Sequence, residues 1–133
     1  MSLLLNIDVP DVETGVHFYT AAFGLTVGRR FGDGFVELLG WPAKVYLLAK
    51  PAGSVGAGND RRRYERHWTP VHADIVVDDV DAAVERAVSA GGTLEAPAKD
   101  TPYGRIAMLA DPFGHGFCLL AFNRQGYDAL LAR

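Results

Sequence analysis

Residues 7–24 read IDVPDVETGVHFYTAAFG and residues 75–92 read IVVDDVDAAVERAVSAGG; a shift of 68 lays one over the other without a gap. Ile7, Val9, Asp11, Val12, Val16, Ala22 and Gly24 fall on Ile75, Val77, Asp79, Val80, Val84, Ala90 and Gly92. Each copy runs from a strand into an acidic helix start, an amphipathic helix and a glycine stop. Leu3 to Val9 and Val71 to Val77 are short apolar runs suited to strands. Asp11 and Asp79 can accept bonds from the unpaired amides of a first helical turn. Val12, Val16, Tyr19 and Phe23 recur at helical spacing, as do Val80, Val84, Ala87 and Val88, so each helix is expected to bury one stripe. Gly24 and Gly92 stand where a left-handed residue closes a helix.

Working outward, the likeness resumes where VYLLA at 45–49 lies over FCLLA at 117–121, now at a shift of 72. Between helix and last strand each half has room for two more strands, at about 25–30 and 34–39, and at 93–96 and 104–110. The chain therefore reads as an α+β protein of two tandem βαβββ modules. Module one is placed at about 1–50, a linker at 51–67, module two at about 68–122 and a C-terminal tail at 123–133. Tyr127 to Leu131 is predicted as a last turn of helix over the sheet. Gly53, Gly56 and Gly58 make the start of the linker flexible. Its basic run, Arg61 to Arg63, reads as a solvated linker or short helix, with a lid or anion contact as the sharper alternative.

The 133 residues fit one domain, and 49% hydrophobic with 22% charged residues is a globular composition. A net charge of −3, from 13 basic and 16 acidic residues, gives no footprint for nucleic acid. No apolar run approaches the roughly 20 residues of a membrane helix, and the N-terminus lacks the basic region of a secretory signal. Cys118 is the single cysteine, so no internal disulfide forms. A cytoplasmic protein with neither membrane nor nucleic-acid partner is expected.

The duplicated βαβββ pattern, with Asp111-Pro112-Phe113-Gly114 before the last strand, resembles the vicinal oxygen chelate superfamily. That group includes glyoxalase I, extradiol dioxygenases and the bleomycin-resistance type of binding protein. The resemblance runs from about Leu3 to Phe122. It is carried by Val9-Pro10-Asp11, Val16-His17-Phe18-Tyr19 with Phe23-Gly24-Leu25, Val76 to Val80, Ala90-Gly91-Gly92 and Tyr103-Gly104-Arg105. It implies curved mixed sheets, one per module, around a cavity. It also implies homodimers as a common state, sometimes with modules exchanged between chains, which a flexible linker after Pro51 permits. Metal-dependent members place His or Glu on the first and last strands of each module. The internal repeat puts those positions at Leu4, Tyr46, His72 and Cys118.

Of these four only His72 is a first-rate ligand. Leucine has no donor atom, tyrosine seldom holds a hard divalent ion, and cysteine binds zinc as a thiolate. Asp74 shares a strand face with His72, but sits a full step along, about 6–7 Å, which argues against joint ligation. A metal-free cavity with no cofactor is therefore expected, and a divalent metal is the less favoured alternative. Asn6, Asp8, Lys44, Leu48, Asp74, Gly116 and Leu120 share the face of the four positions, and Asn6 and Asp74 are partners under the repeat. His72 with Asp74 reads as a base steered by a carboxylate or, preferably, as a core histidine satisfied by one hydrogen bond. No catalytic residue is assigned beyond these two candidates.

Ligand contacts are expected from Asn6, Trp41, Tyr46, Trp68, His72, Asp74, Tyr103, Arg105 and Cys118. Trp41, Trp68 and Tyr103 flank strand ends, and aromatic residues so placed in bleomycin-resistance-like members stack on flat ligands. Arg105 either meets a ligand carboxylate or phosphate or faces solvent. Glu37, inside an apolar strand, is a rim contact or a partner for Arg29 or Arg30. His17 and His115 read as surface residues. The favoured function is a glyoxalase and bleomycin-resistance-like protein that binds a small organic molecule, aromatic ones included, without a catalytic metal, to sequester or sense it. The competing class is a lyase, isomerase or dioxygenase using His72 with Asp74 or a non-standard metal site. A pure dimerisation module leaves Asn6 and Asp74 unexplained.

Overall fold

The structure, a computed structural model, describes residues 1–131. Two compact units divide at Glu65 and Arg66. In the first, strand β1 (Leu4–Val9) leads into helix α1 (Val12–Phe23), followed by β2 (Thr26–Arg30), β3 (Phe35–Leu39) and β4 (Lys44–Ala49). These strands form a mixed sheet in the order β1-β4-β3-β2, with β1 parallel to β4 and the other pairs antiparallel. A small hairpin follows, β5 (Val55–Ala57) with β6 (Asp60–Arg61). The second unit repeats the plan with β7 (Ala73–Val76), α2 (Val80–Ser89), β8 (Thr93–Thr101), β9 (Gly104–Ala110) and β10 (Gly116–Phe122), in the order β7-β10-β9-β8. The βαβββ duplication is thus present in full. Among the described residues no helix is long and apolar enough to cross a membrane.

Both caps are as expected. The Asp11 carboxylate accepts from the Thr14 amide at 2.9 Å and that of Asp79 from the Ala82 amide at 3.1 Å. Gly24 closes α1 at φ 68°. In α2 the left-handed residue is Gly91, at φ 116°, rather than Gly92. Here the Gly92 amide reaches back to the Ala87 carbonyl and the Gly91 amide to that of Val88, the paired bonds of a Schellman ending. The buried stripes are also rotated from the expected ones. Val12, Gly15, Phe18, Tyr19 and Ala22 are buried in α1, and Val80, Ala83 and Ala87 in α2. Val16 and Phe23 are only half-buried, and Val88 is exposed. Gly15 explains the rotation in α1: a side chain there would stand 3.1 Å from the Leu47 Cδ1 atom, so the helix lies close on the sheet along that line.

Each sheet has one face under its helix. In the first unit Val9, Val36, Leu38, Val45 and Leu47 are fully or almost fully buried. Strand alternation turns Asn6, Phe35, Glu37 and Tyr46 to the opposite, open face.

The segment after Pro51 is not a loose tether. It is a hairpin turned at Gly58 (φ 56°). Arg62 fastens it, donating to the Val55 carbonyl at 2.6 Å and to the Asp8 carboxylate at the end of β1 at 2.6 Å. Arg61 donates to the Gly53 carbonyl. These two arginines of the basic run are thereby engaged in holding the hairpin. At the other end of the chain Gly126–Leu130 forms the expected final turn, as a 3-10 helix.

Candidate functional site

On the open face of the first sheet the cross-strand neighbours Glu37 and Tyr46 form a polar centre in an apolar setting. Glu37 is only 3% exposed. Burying a carboxylate is costly unless donors surround it, and this one has four. Arg29 Nε lies 3.1 Å from Oε1 and Arg29 Nη2 2.6 Å from Oε2, while the Arg29 amide donates to Oε1 at 3.3 Å. The Tyr46 hydroxyl donates to Oε2 at 2.9 Å. This forked, charge-assisted contact holds the Glu37 carboxyl far below its ordinary range, at about 2. Arg29 is pushed up by the same contact, and Tyr46 is raised by its bond to the carboxylate.

A β-bulge builds this centre. Val27 pairs with Leu38 and Arg30 with Val36, so Gly28 and Arg29 together stand opposite Glu37. The extra residue re-aims the strand. Arg29 turns to the open face, and Arg30 returns to the helix side, where it meets Glu13 at 2.7 Å. Gly28 leaves the space the carboxylate fills, since a Cβ there would stand 2.6 Å from Glu37 Oε1. The guanidinium lies 5.1 Å from the Phe31 ring centre, and Phe31, Phe35 and Tyr46 follow one another at 4.9 and 5.4 Å. Of the two partners weighed for Glu37, the structure selects Arg29. Phe31 and Phe35 escape the sequence reading, although Phe35 and Glu37, two apart on one strand, necessarily share the face of Tyr46.

The second sheet carries a different centre at the equivalent place. Asp74 lies beside Cys118 in the register of β7 and β10, as Asn6 lies beside Tyr46 in that of β1 and β4, so the repeat places these residues correctly. His72 Nδ1 is 3.4 Å from Asp74 Oδ1, and one donor atom each from His72, Asp74 and Cys118 lie within 4.8 Å of one another. The strand step between His72 and Asp74 therefore does not keep their side chains apart, contrary to expectation. His72 precedes the first residue of β7, so its ring is not bound to the strand's perpendicular and folds back over Asp74. With its side chain 32% exposed, His72 is not a core histidine. Cys118 is buried, and burial first, then the charge and hydrogen bond of Asp74, push its thiol up to about 11. Trp68, 58% exposed, lies 5.3 Å from the His72 ring.

Of the other expected ligand contacts, Arg105, Tyr103 and Trp41 lie elsewhere in their units, while Asn6 stands beside Tyr46. Arg105 is on the helix side of β9, donating to Asp81 of α2 at 3.1 Å and to Asp100 at 2.9 Å, so it does not simply face solvent. Tyr103 packs on Tyr127 at 5.2 Å, covered by the final turn. Trp41 packs on Phe23 at the end of α1. Asn6 stays exposed on the open face of its sheet. His17 is exposed as expected, whereas His115 is half-buried, its amide held by Asp111 at 2.9 Å.

The Glyoxalase-like domain family matches residues 5–120. The chain is similar to the anthracycline biosynthesis protein DauV of Streptomyces sp. (strain C5), 34% identical over 121 residues, covering 90% of this chain and 40% of that protein. It is likewise similar to the uncharacterized protein Mb0911c of Mycobacterium bovis, 44% identical over 118 residues, covering 84% of this chain and 76% of the relative. Against the anthracycline biosynthesis proteins it matches, the chain spans less than half of their length. Among solved structures the fold is shared with a mutant of FosX, a fosfomycin resistance protein of Listeria monocytogenes complexed with Mn(II) and 1S,2S-dihydroxypropylphosphonic acid. The TM-score is 0.70 at 18% identity, with 92% of this chain and 90% of that one covered.

Proposed function

We propose, for a chain that belongs to the glyoxalase-like domain family, a protein that binds a small, flat organic molecule on its open sheet face without a catalytic metal. The observation that carries this reading is the run of rings Phe31, Phe35 and Tyr46 around a fixed polar centre. Phe31 is exposed and Phe35 half-buried, with Tyr46 buried behind them, and an open ring face beside a few oriented polar groups is what a site for a conjugated ligand needs. Relatives named as anthracycline biosynthesis proteins agree with a flat, polycyclic ligand.

The donor set supports the metal-free part. Of the four positions where metal-dependent members hold their cation, Leu4 has no donor atom and the Tyr46 hydroxyl is committed to Glu37. The family's four-position site therefore does not fit this chain. We propose further that the protein is cytoplasmic and works as a homodimer; light scattering of the purified protein tests the homodimer.

The convergence of His72, Asp74 and Cys118 favours a second reading, an enzyme of the same superfamily. A nitrogen, a carboxylate oxygen and a sulfur suit a borderline-soft ion such as zinc, which would supply a Lewis acid. Without an ion, His72 oriented by Asp74 is a candidate general base.

Elemental analysis of the purified protein, run beside a melting-shift screen, separates the readings. Absence of metal, with stabilisation by flat aromatic compounds that is lost in Tyr46→Ala, is the expected result. Stoichiometric metal that disappears in His72→Ala overturns the metal-free reading.

A further inference from the structure

The polar centre of the first unit holds more than a buried acid requires. Glu37 is satisfied by the Arg29 amide, Nε and Nη2 and by the Tyr46 hydroxyl. Arg29 Nη1 is left with no partner among the described residues, on a side chain 61% exposed. A two-nitrogen fork on a carboxylate also fixes the plane of the guanidinium. Here Glu37 holds it by two of its nitrogens, the ring of Phe31 lies beside it, and the glycine and bulge of β2 are arranged to admit the pair. Fixing the plane beforehand removes the entropy a free arginine would lose on gripping a ligand. Phe31 is itself 43% exposed, and its ring leads on to Phe35 and Tyr46.

Resting on the small-molecule reading above, we infer that Arg29, oriented by Glu37, is the recognition point for the negative group of a flat aromatic acid whose ring lies along Phe31 and Phe35. Nη1 donates to the ligand's carboxylate, and the rings supply the apolar wall. Glu37 is a positioning residue: it touches Arg29 rather than the ligand. Three of the four donors on its carboxylate belong to Arg29 itself, so the pair is close to neutral and what draws the anion is the short-range hydrogen bond from Nη1.

The test uses the full chain and two probes of one shape, 2-naphthoate and its uncharged analogue 2-naphthamide, titrated while the amide NMR spectrum is recorded. Naphthoate is expected to bind about tenfold more tightly than naphthamide, the worth of one charge-assisted hydrogen bond, with shifts centred on residues 29–37 and Tyr46. In the double variant Arg29→Gln/Glu37→Gln, which leaves no unpaired buried charge, naphthoate falls to the level of naphthamide and naphthamide is unchanged. If that variant does not fold, Arg29→Lys keeps a cation on Glu37 but loses the fork, and naphthoate alone must weaken. Equal binding of both probes to the wild type, or undiminished naphthoate binding in the variants, overturns the anion site and leaves the small-molecule reading standing. Binding of neither probe overturns both.

Discussion

Glu37 keeps its charge inside an apolar strand because Arg29 and Tyr46 together replace the water it gives up, and this makes its protonation a matter of folding. Its carboxyl lies at about 2 in the folded chain against an ordinary 4.5. A depressed acid stabilises the fold above its unfolded value and loses that contribution as pH falls through its folded value. Stability is therefore expected to drop between pH 4.5 and about 2, and Glu37→Gln should flatten that stretch of a melting-temperature profile. Cys118 runs the other way. Its thiol is raised to about 11 from 9.0, so the neutral form is the one the fold prefers, and stability declines as pH climbs from 9.0 toward 11. Alkylation of the folded protein by iodoacetamide should be slow at neutral pH and accelerate up to about 11, whereas the urea-unfolded chain reacts near the ordinary thiol value.

Elements whose cause is local were the most legible. Asp11 and Asp79 declare their helices because a cap acts within one turn, and the alternation of β3 and β4 is enough to put Glu37 and Tyr46 on one face. Two features resisted. Periodicity finds an apolar stripe but not which edge of it faces the sheet, and a glycine, Gly15, decided that for α1. The bulge in β2 depends on a hydrogen-bond register between strands, which residue types alone do not state. It is nonetheless testable: Gly28→Ala drives a methyl group to 2.6 Å from Glu37 Oε1, and should cost about 1–3 kcal/mol as overpacking does, read by urea denaturation. A larger loss is expected at Gly104, which opens β9 at φ 153°. There a Cβ would stand 2.1 Å from the Ala121 carbonyl oxygen, and main chain cannot yield as a side-chain tip can. Gly104→Ala should cost about 3–5 kcal/mol, at the upper end for a point change, which gives the Tyr103-Gly104-Arg105 element a structural reason for its glycine.

At the scale of the whole molecule, duplication has kept the frame and let the chemistry part. Asn6 beside Tyr46 and Glu37 in one unit answers to Asp74 beside Cys118 and Met108 in the other. One centre is a closed ion pair with an outward guanidinium, the other an open set of histidine, carboxylate and thiol. The bonds of Glu37 to Arg29 and Tyr46 lie wholly inside the first unit, and the contact of His72 with Asp74 wholly inside the second. That is why the repeat could name the four positions from sequence but not what replaced their chemistry: side chains at equivalent positions found different neighbours. The two centres are accordingly expected to respond to substitution separately. His72→Ala with Cys118→Ser should remove any zinc uptake measured by competition with a chromogenic chelator, and should leave the acid limb of the melting profile in place. Glu37→Gln should flatten that limb and leave the alkylation rate of Cys118 unchanged. A change in either centre that carried over to the other would mean that the units share one polar network rather than holding two.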